Sequence, residues 1–385
     1  MKQLCFILDW YPTKTNNGCV FAKHLICAIA DNGYECVVIA PMIKNTKNTS
    51  KDAVLYSRTD TTEQGNQIRV FTPTYLHLSS RRQTMKLSMN NHYKAVMKVI
   101  KKEKLDPDLV YGHFIYQCGL TAARIGKKLN IPSYCACGEN SLRLIKGSEP
   151  YATGLRYSNW KSVLSSLSGV ISVSEYNKEL LFENGFIDKD INVGVFPNGF
   201  DKNKFYLADK NSARKKLNLP LDKFIVAFTG TFKESKGVKE LCEALNGLED
   251  VCSLFMGKGD ISPDCKNILF CGSVPNDELV WYLNSADVFV LPTKGEGCCN
   301  AIVEALACGL PVVSSNLPFN DDILDESNSI RIDVDSVDEI KDDIVSLKTD
   351  EKLINELHTG AVKSAEKLDV VTRADNILKF MELSE

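Results

Sequence analysis

Short apolar runs recur along the first half of the chain: LCFIL (4–8), ECVVIAP (35–41), DLVYGHF (108–114), IPSYCAC (131–137) and GVISVS (169–174). Each is of strand length, and longer stretches of helical pattern lie between several of them. VFAKHLICAIADN (20–32) is one such stretch, and Gly33 is placed to cap its C-terminus. The second half repeats the alternation with KFIVAFTG (223–230), CSLFMG (252–257), NILFCG (267–272), DVFVLP (287–292) and PVVSS (311–315). Near-continuous apolar runs separated by helices predict parallel sheets with crossover helices. The two series are joined by FPNGFDKNKFYLADKNSARKKLNLPLD (196–222), rich in Asn, Lys and turn formers.

The pattern predicts an α/β chain of two doubly wound, parallel-sheet, Rossmann-like domains facing a cleft. The first is expected over residues 1–200 and a linker over 201–222. The second domain is expected over 223–365, and a C-terminal helix over 366–385 packing back toward the first domain. In such sheets ligands bind beyond the carboxyl ends of the strands, so the loops there are where chemistry is expected.

Composition narrows the class. The 385 residues are 44% hydrophobic and 25% charged, as in a water-soluble globular protein. No apolar run reaches the roughly 18 residues of a membrane span. The start, MKQLCFILDWYP, reads as a buried strand without a cleavage site, which predicts a cytoplasmic protein. Most of the fourteen cysteines sit inside apolar runs. The close pairs Cys135/Cys137 and Cys298/Cys299 lack zinc-ligand spacing, so reduced thiols are expected. Net charge is −3, but residues 1–200 carry 25 basic against 16 acidic side chains, whereas 201–385 carry 21 against 33. The asymmetry suggests that the two halves face different partners. Residues 81–104 hold eight Lys/Arg and one acid, with Met85, Met89, Tyr93, Val96, Met97 and Ile100 at near-helical spacing. This is the pattern of a peripheral contact with anionic membrane, or of a core helix with a solvated basic face.

Several chemistries are missing from the sequence. It has no GxxxxGK[ST] phosphate loop, no GxGxxG after the first strand and no GxSxG elbow, and its five histidines are scattered. The triplets Asp106-Pro-Asp108, Asp188-Lys-Asp190 and Asp333-Val-Asp335 read as turns and a capping box, so no bound metal and no cofactor are expected.

The informative stretch is DVFVLPTKGEGCCNAIVEALACGLPVVSS (287–315). A buried strand ends at Pro292, a Gly-bearing loop follows, and a helix over about 299–308 is closed by Gly309. Amides from Gly297 to Asn300 at that helix start form an anion site. Glu296 precedes the helix, and Glu304 lies about two turns along on the same side. Thr293-x-x-Glu296 also matches a capping box, and Glu304 could be an ordinary solvated helix residue. Yet Glu304 interrupts the apolar AIVEALA, where a bare carboxylate is costly to bury. The loop GTFKESKG (230–237) projects Lys233 and Lys236 from another strand end, and charge-assisted bonds to a diphosphate would be worth about 1.5–3 kcal/mol each. MGKGD (256–260) and FCGSVPND (270–277) end the next two strands.

Glu296-x7-Glu304 within GEGCCNAIVEALACGLPVV, with GTFKESKG, MGKGD, FCGSVPNDEL and FPNGFD in order, resembles the signature of family 4 retaining glycosyltransferases of GT-B fold. The likeness covers essentially the whole chain and is strongest over 223–315. It implies Lys236, Glu296 and Glu304 as catalytic residues. Lys236 would contact the donor phosphates and Glu304 the ribose, while Glu296 with Gly297, Cys298, Cys299 and Asn300 would hold the transferred sugar and phosphate. Ser273 and Val274 would lie by the base. Asn16, Asn17 and Gly18 would approach donor phosphates and acceptor, with His113 on the acceptor side. Thr231 stands where the family often has arginine, so Lys233 is the candidate to share phosphate contact. Cys137 stands where a histidine is common, and Glu139 is the candidate replacement.

The resemblance implies a nucleotide sugar as donor (UDP-sugar favoured), a glycan or lipid-linked acceptor, and no nucleic-acid partner. It also implies synthesis of cell-surface polysaccharide or glycoconjugate at the inner face of the membrane. A nucleotide-sugar epimerase of similar fold and a non-catalytic nucleotide-sugar-binding subunit are the alternatives.

Overall fold

The computed structural model describes residues 1–13, 18–44, 55–77, 82–138 and 160–382, with the side chains of the stretch 82–138 described from residue 86 onward. The chain forms two compact units: residues 1–196 with 373–385, and residues 197–372.

The first unit holds β1 (Gln3–Ile7), β2 (Glu35–Ile39), β3 (Met42–Ile43), β4 (Ser57–Thr61), β5 (Gln67–Phe71), β6 (Thr74–Tyr75), β7 (Leu109–Gly112), β8 (Ser133–Cys137), β9 (Gly169–Ser172) and β10 (Val193–Val195). Eight of these form one sheet in the order β10-β9-β8-β7-β1-β2-β5-β4, and β3 pairs with β6 apart from it. All ladders are parallel except β4–β5. The direction of winding reverses between β1 and β7. Val37, Ile39 and Val110 pack with Val96, Val99 and Ile100 of the helix Arg82–Lys102 in one core cluster. Cys135, Val170, Leu164 and Leu181 build another. Val96, Val99 and Ile100 of the helix Arg82–Lys102 are therefore spent on the core, and its exposed residues include Lys86, Leu87, Lys94, Lys98, Lys101 and Lys102. The helix thus packs on the core with one face and turns a basic face outward.

The second unit holds β11 (Phe224–Phe232), β12 (Val251–Gly259), β13 (Ile268–Gly272), β14 (Val288–Leu291), β15 (Val312–Ser315) and β16 (Ser329–Ile332), ordered β13-β12-β11-β14-β15-β16 and all parallel. This is the dinucleotide-fold order, with its switch point between β11 and β14. Gly309 (φ 73°) follows the helix Asn300–Ala307, as the left-handed C-terminal position requires.

Residues 201–222 are more than a connector. They carry the helix Lys210–Lys216, capped by Asp209, whose side chain accepts from Ser212 N at 2.8 Å. From that helix Arg214, 3% exposed, reaches under the sheet. Its Nε donates to Ser285 O, its Nη1 to Leu221 O and Lys223 O, and its Nη2 to Asp287 Oδ2 at 2.7 Å. Asp287 Oδ2 also accepts from Ile225 N, so this buried fork ties the starts of β11 and β14 together. The helix Val370–Glu382 returns the chain to the first unit from Arg373, where Tyr134 Oη donates to Met381 O at 2.8 Å. Among the described residues no helix is long and apolar enough to cross a membrane. All fourteen cysteines are free thiols.

Arg214→Lys keeps the charge but loses the planar fork that satisfies three carbonyls and a carboxylate. It should lower unfolding free energy by about 3 kcal/mol in urea melts, with the slope unchanged. A loss below about 0.5 kcal/mol would show that the fork does not hold the two strand starts.

Candidate functional site

The loops after β11 and β14 meet at the switch point of the second sheet. Beyond β11 the chain makes a single 3-10 turn, Glu234–Lys236, and Gly237 enters the left-handed region at φ 67°. A Cβ there would come 2.3 Å from Pro292 O, so only glycine lets this turn lie against the end of β14. Lys294 N donates to Ser235 O at 2.9 Å and Thr293 Oγ1 to the same carbonyl at 3.3 Å, fastening the two loops. With the loops held there, Lys236 Nζ contacts Glu296 Oε1 in an ion pair whose side chains are 20% and 16% exposed.

The pair removes Glu296 from the capping role that its sequence position allowed. The helix starts at Asn300 with Cys299 as N-cap, and no side chain caps it. Gly297, Cys298 and Cys299 are buried at this start, and Asn300 is partly buried. Asn198 holds the loop by donating from its backbone N to Cys298 Sγ at 3.3 Å and from Nδ2 to Cys298 O at 3.0 Å. Burial pushes the Lys236 ammonium below its ordinary range, and the nearby Lys233 acts in the same direction. The Glu296 contact favours the charged form. Burial likewise raises the Cys299 thiol, so that buried cysteine stays a neutral packing group.

Glu304 lies farther along the helix, with Ile302, Val303, Ala305 and Leu306 buried around it. Among the described residues no hydrogen bond or ion pair to its carboxylate is found, and desolvation raises its pKa from the ordinary 4.5 to about 8. A largely buried carboxylate without a partner is the group a diol can satisfy.

Thr231, Ser273 and Val274 are gathered with Gly230, Gly257 and Lys258 around a cavity of about 340 Å³ at the carboxyl ends of β11, β12 and β13. Lys233 is exposed beside it in sequence and makes no ion pair among the described residues. The predicted second-unit residues thus form two groups: the Lys236–Glu296 pair with Glu304 around the helix start, and the Thr231/Ser273/Val274 cavity.

In the first unit, Asn16, Asn17 and Glu139 lie outside the described residues. Gly18 lies just before the helix Val20–Asp31. Cys137 is fully buried at the end of β8. His113 is 5% exposed, caged by Phe21, Tyr111 and Phe114, with both ring nitrogens lacking a hydrogen-bond partner. Burial, helped by Arg373, pushes its pKa down to about 3, so it is neutral.

The acidic triplets make structural contacts. Asp108 Oδ2 accepts from Gln3 N, Asp188 pairs with Lys161, and Asp335 pairs with Lys294. Ser336 caps its helix by accepting from Glu339 N, and Glu339 reaches back to Asp333 N. Sequence reasoning overlooked Asn198, Lys258, and the buried polar groups at the first sheet's switch point. Lys258 was within reach, since it stands in MGKGD directly after an apolar run.

The family model described as Glycosyltransferase Family 4 matches residues 20–204, and that described as Glycosyl transferases group 1 matches 223–350. The provisionally named teichuronic acid biosynthesis glycosyltransferase TuaC of Bacillus subtilis is 30% identical over 227 residues, 58% of this chain and 57% of its own length. The UDP-Gal:alpha-D-GlcNAc-diphosphoundecaprenol alpha-1,3-galactosyltransferase of Escherichia coli is 25% identical over 309 residues, 74% of this chain and 76% of its own. Among solved structures, sucrose-phosphate synthase from Thermosynechococcus elongatus superposes with a TM-score of 0.79 at 17% identity, covering 100% of this chain and 99% of its own. Anabaena HepE in complex with UDP and glucose superposes with 0.72 at 17%, covering 100% of both chains. These structures establish the GT-B fold. The two family models match in succession over most of the sequence, and the chain belongs to glycosyltransferase family 4.

Proposed function

We infer that this protein transfers a sugar from a nucleotide diphosphate donor to a glycan or lipid-linked acceptor, with retention of anomeric configuration. The observation that carries the reading is the Lys236–Glu296 pair at the β11/β14 switch point, with the unpartnered Glu304 on the helix that follows. Lys236 is held where a diphosphate would sit, and an arriving phosphate exchanges one anion for another on its ammonium, freeing Glu296 for the sugar hydroxyls. Buried amides at Gly297, Cys298 and Cys299 supply donors to phosphate oxygens. Glu304 accepts from the ribose hydroxyls. The cavity at Thr231, Ser273 and Val274 suits a base, with Lys233 or Lys258 in the phosphate contact that Thr231 cannot make. As the glycosidic bond breaks, the departing phosphate takes the acceptor proton, so the protein's task is electrostatic.

A UDP-sugar donor is favoured by the galactosyltransferase relative's name and by HepE's bound UDP. The names of both relatives support polysaccharide or lipid-linked acceptors. The diphosphate charge is met by lysine and amides without a divalent cation. Incubation with a panel of nucleotide sugars and lipid-linked acceptors, with product mass spectrometry, tests the reading. Epimerised donor without transfer, or no nucleotide response at all, would favour the two alternatives. Dependence of turnover on magnesium or manganese would overturn the metal-free donor site.

The exposed face of the helix Arg82–Lys102 supports peripheral contact with anionic membrane. Lys94, Lys98, Lys101 and Lys102 line a groove of about 560 Å³ with Lys128, Tyr93 and Met97. Electrostatics carries most of this contact, since Val96, Val99 and Ile100 are in the core and Tyr93 and Met97 are partly buried.

Glu304→Gln should raise KM and weaken free nucleotide diphosphate about 10- to 100-fold, the worth of bonds to a charged group. Glu296→Gln should lower kcat by about 10²–10³ and leave diphosphate binding normal or tighter, since Lys236 is released. Calorimetry with steady-state kinetics separates them, and identical profiles in the two variants would refute the division of roles.

The stability of the ligand-free protein should carry the Glu304 signature. Its folded pKa of about 8 lies above the ordinary 4.5, so the folded state binds the extra proton. The contribution is complete below about 4.5, is lost as pH rises to about 8, and is flat beyond. Relative to Glu304→Gln, the wild type should therefore lose stability across that window in urea melts. A difference independent of pH would show a solvated, ordinary carboxylate.

Lys94→Glu/Lys98→Glu/Lys101→Glu should abolish sedimentation with anionic liposomes, because each basic residue near such a surface is worth about 1 kcal/mol. Binding that survives the triple change, or resists high salt, would remove this face from the account.

A further inference from the structure

The first sheet has its own switch point, between β1 and β7, and three side chains converge there that the transfer reaction does not use. Asp9 follows β1, Cys118 sits in the turn after β7, and His92 projects from the helix Arg82–Lys102. One ligand atom from each, a carboxylate oxygen, a sulfur and a ring nitrogen, all lie within 4.8 Å of one another. Asp9 Oδ1 and Cys118 Sγ are 3.2 Å apart. Tetrahedral zinc, at 2.0–2.3 Å from its ligands, holds them about 3.5 Å apart.

The turn that presents Cys118 is built with strained backbone. Phe114 has φ 71° and Gln117 φ 55°, ψ −59°, within a π-turn closed by Gly119 N donating to Phe114 O at 2.8 Å. A Cβ on Gly112 would come 2.4 Å from Cys118 O, so glycine lets the turn fold onto the strand end. The second, independent observation is His92. It is 1% exposed, its Nδ1 lies 2.9 Å from Thr121 Oγ1, and its Nε2 is buried without a hydrogen-bond partner. A buried ring nitrogen left open is costly unless something fills it. With Nδ1–H donating to Thr121, Nε2 carries the lone pair that a metal takes, and Thr121 is the outer partner that fixes the ring.

We propose that Asp9, His92 and Cys118 form a three-ligand site for a zinc-type, borderline-soft divalent cation, with its fourth position open on the side where Asp9 is exposed. Oxygen, nitrogen and thiolate ligands together select zinc or cobalt over magnesium. On binding, the Cys118 thiol proton leaves to solvent and its sulfur joins the metal. The three ligands belong to the first unit, whereas Lys236, Glu296 and Glu304 belong to the second. The site runs against the expectation of no bound metal, because the ligands come from three distant elements and leave no spacing motif.

Titration of the chelator-treated, full chain with cobalt(II) tests this. A thiolate-to-cobalt charge-transfer band should saturate at one equivalent, be displaced by zinc, and vanish in Cys118→Ser. Thr121→Val should weaken cobalt about 10- to 100-fold. Cys271→Ser, at an exposed cysteine elsewhere, should leave the band unchanged. Absence of the band, or its persistence in Cys118→Ser, would overturn the proposal. If Cys118→Ser does not fold, Asp9→Asn decides: unaltered cobalt affinity in that variant overturns it equally.

Discussion

The chemistry of the second unit depends on one close approach, the turn after β11 lying flat against the end of β14. Gly237 makes it possible, since its missing Cβ is the space occupied by Pro292 O. The turn carries Lys236 one residue earlier, and the loop after Pro292 carries Glu296 four residues later. Neither loop alone could bring a lysine and a glutamate together from positions sixty residues apart. At the other end of the same two strands, Arg214 and Asp287 perform the matching task beneath the sheet. The switch point is thus fixed at both ends, by a buried guanidinium fork below and by a glycine contact above.

That rigidity decides how charge is stored before any ligand arrives. Lys236 is partly desolvated, which weakens its charged form, and Glu296 compensates it. Glu304 has no such partner and is held toward its neutral form by burial. One carboxylate is occupied and the other is waiting, so the helix start is asymmetric in the empty protein. A donor with a negative diphosphate and neutral hydroxyls matches that asymmetry: its charge competes for Lys236, while its diol answers Glu304.

The strands of both sheets were largely legible because their apolar runs are uninterrupted. The misses have a common physical cause. β4 (SRTDT) alternates exposed and half-buried residues at the sheet edge and carries almost no apolar signal. β16 is short and half-buried. The segment 201–222 reads as polar connector because the helix Lys210–Lys216 buries an arginine and an alanine, and no run of aliphatics marks it. At the site, the order of glycines, lysines and glutamates was visible, but not that Glu296 pairs with Lys236 in preference to capping its helix. A capping box and an ion pair leave the same residue at the same position, and only the approach of β11's loop distinguishes them. The cluster at Asp9, His92 and Cys118 had no local signature, since its members are separated by 83 and 26 positions.

The charge asymmetry between the halves shows why net charge is a poor guide to where an anion binds. The second half carries the acidic excess, yet its switch point presents Lys236, with Lys233 and Lys258 on the neighbouring strand ends. Physiological salt screens charges beyond about 8 Å, so a diphosphate held against Lys236 and the helix amides barely senses acids on the far surface. What matters is the few groups within contact distance and how dry they are. The basic excess of the first half is different in kind. Much of it lies on the exposed, solvated face of one helix, where single contacts are weak and only a broad anionic surface can sum them. The same count of lysines therefore supports two different roles, a single preorganised cation in a crowded loop and a diffuse field on a helix face, and burial tells them apart.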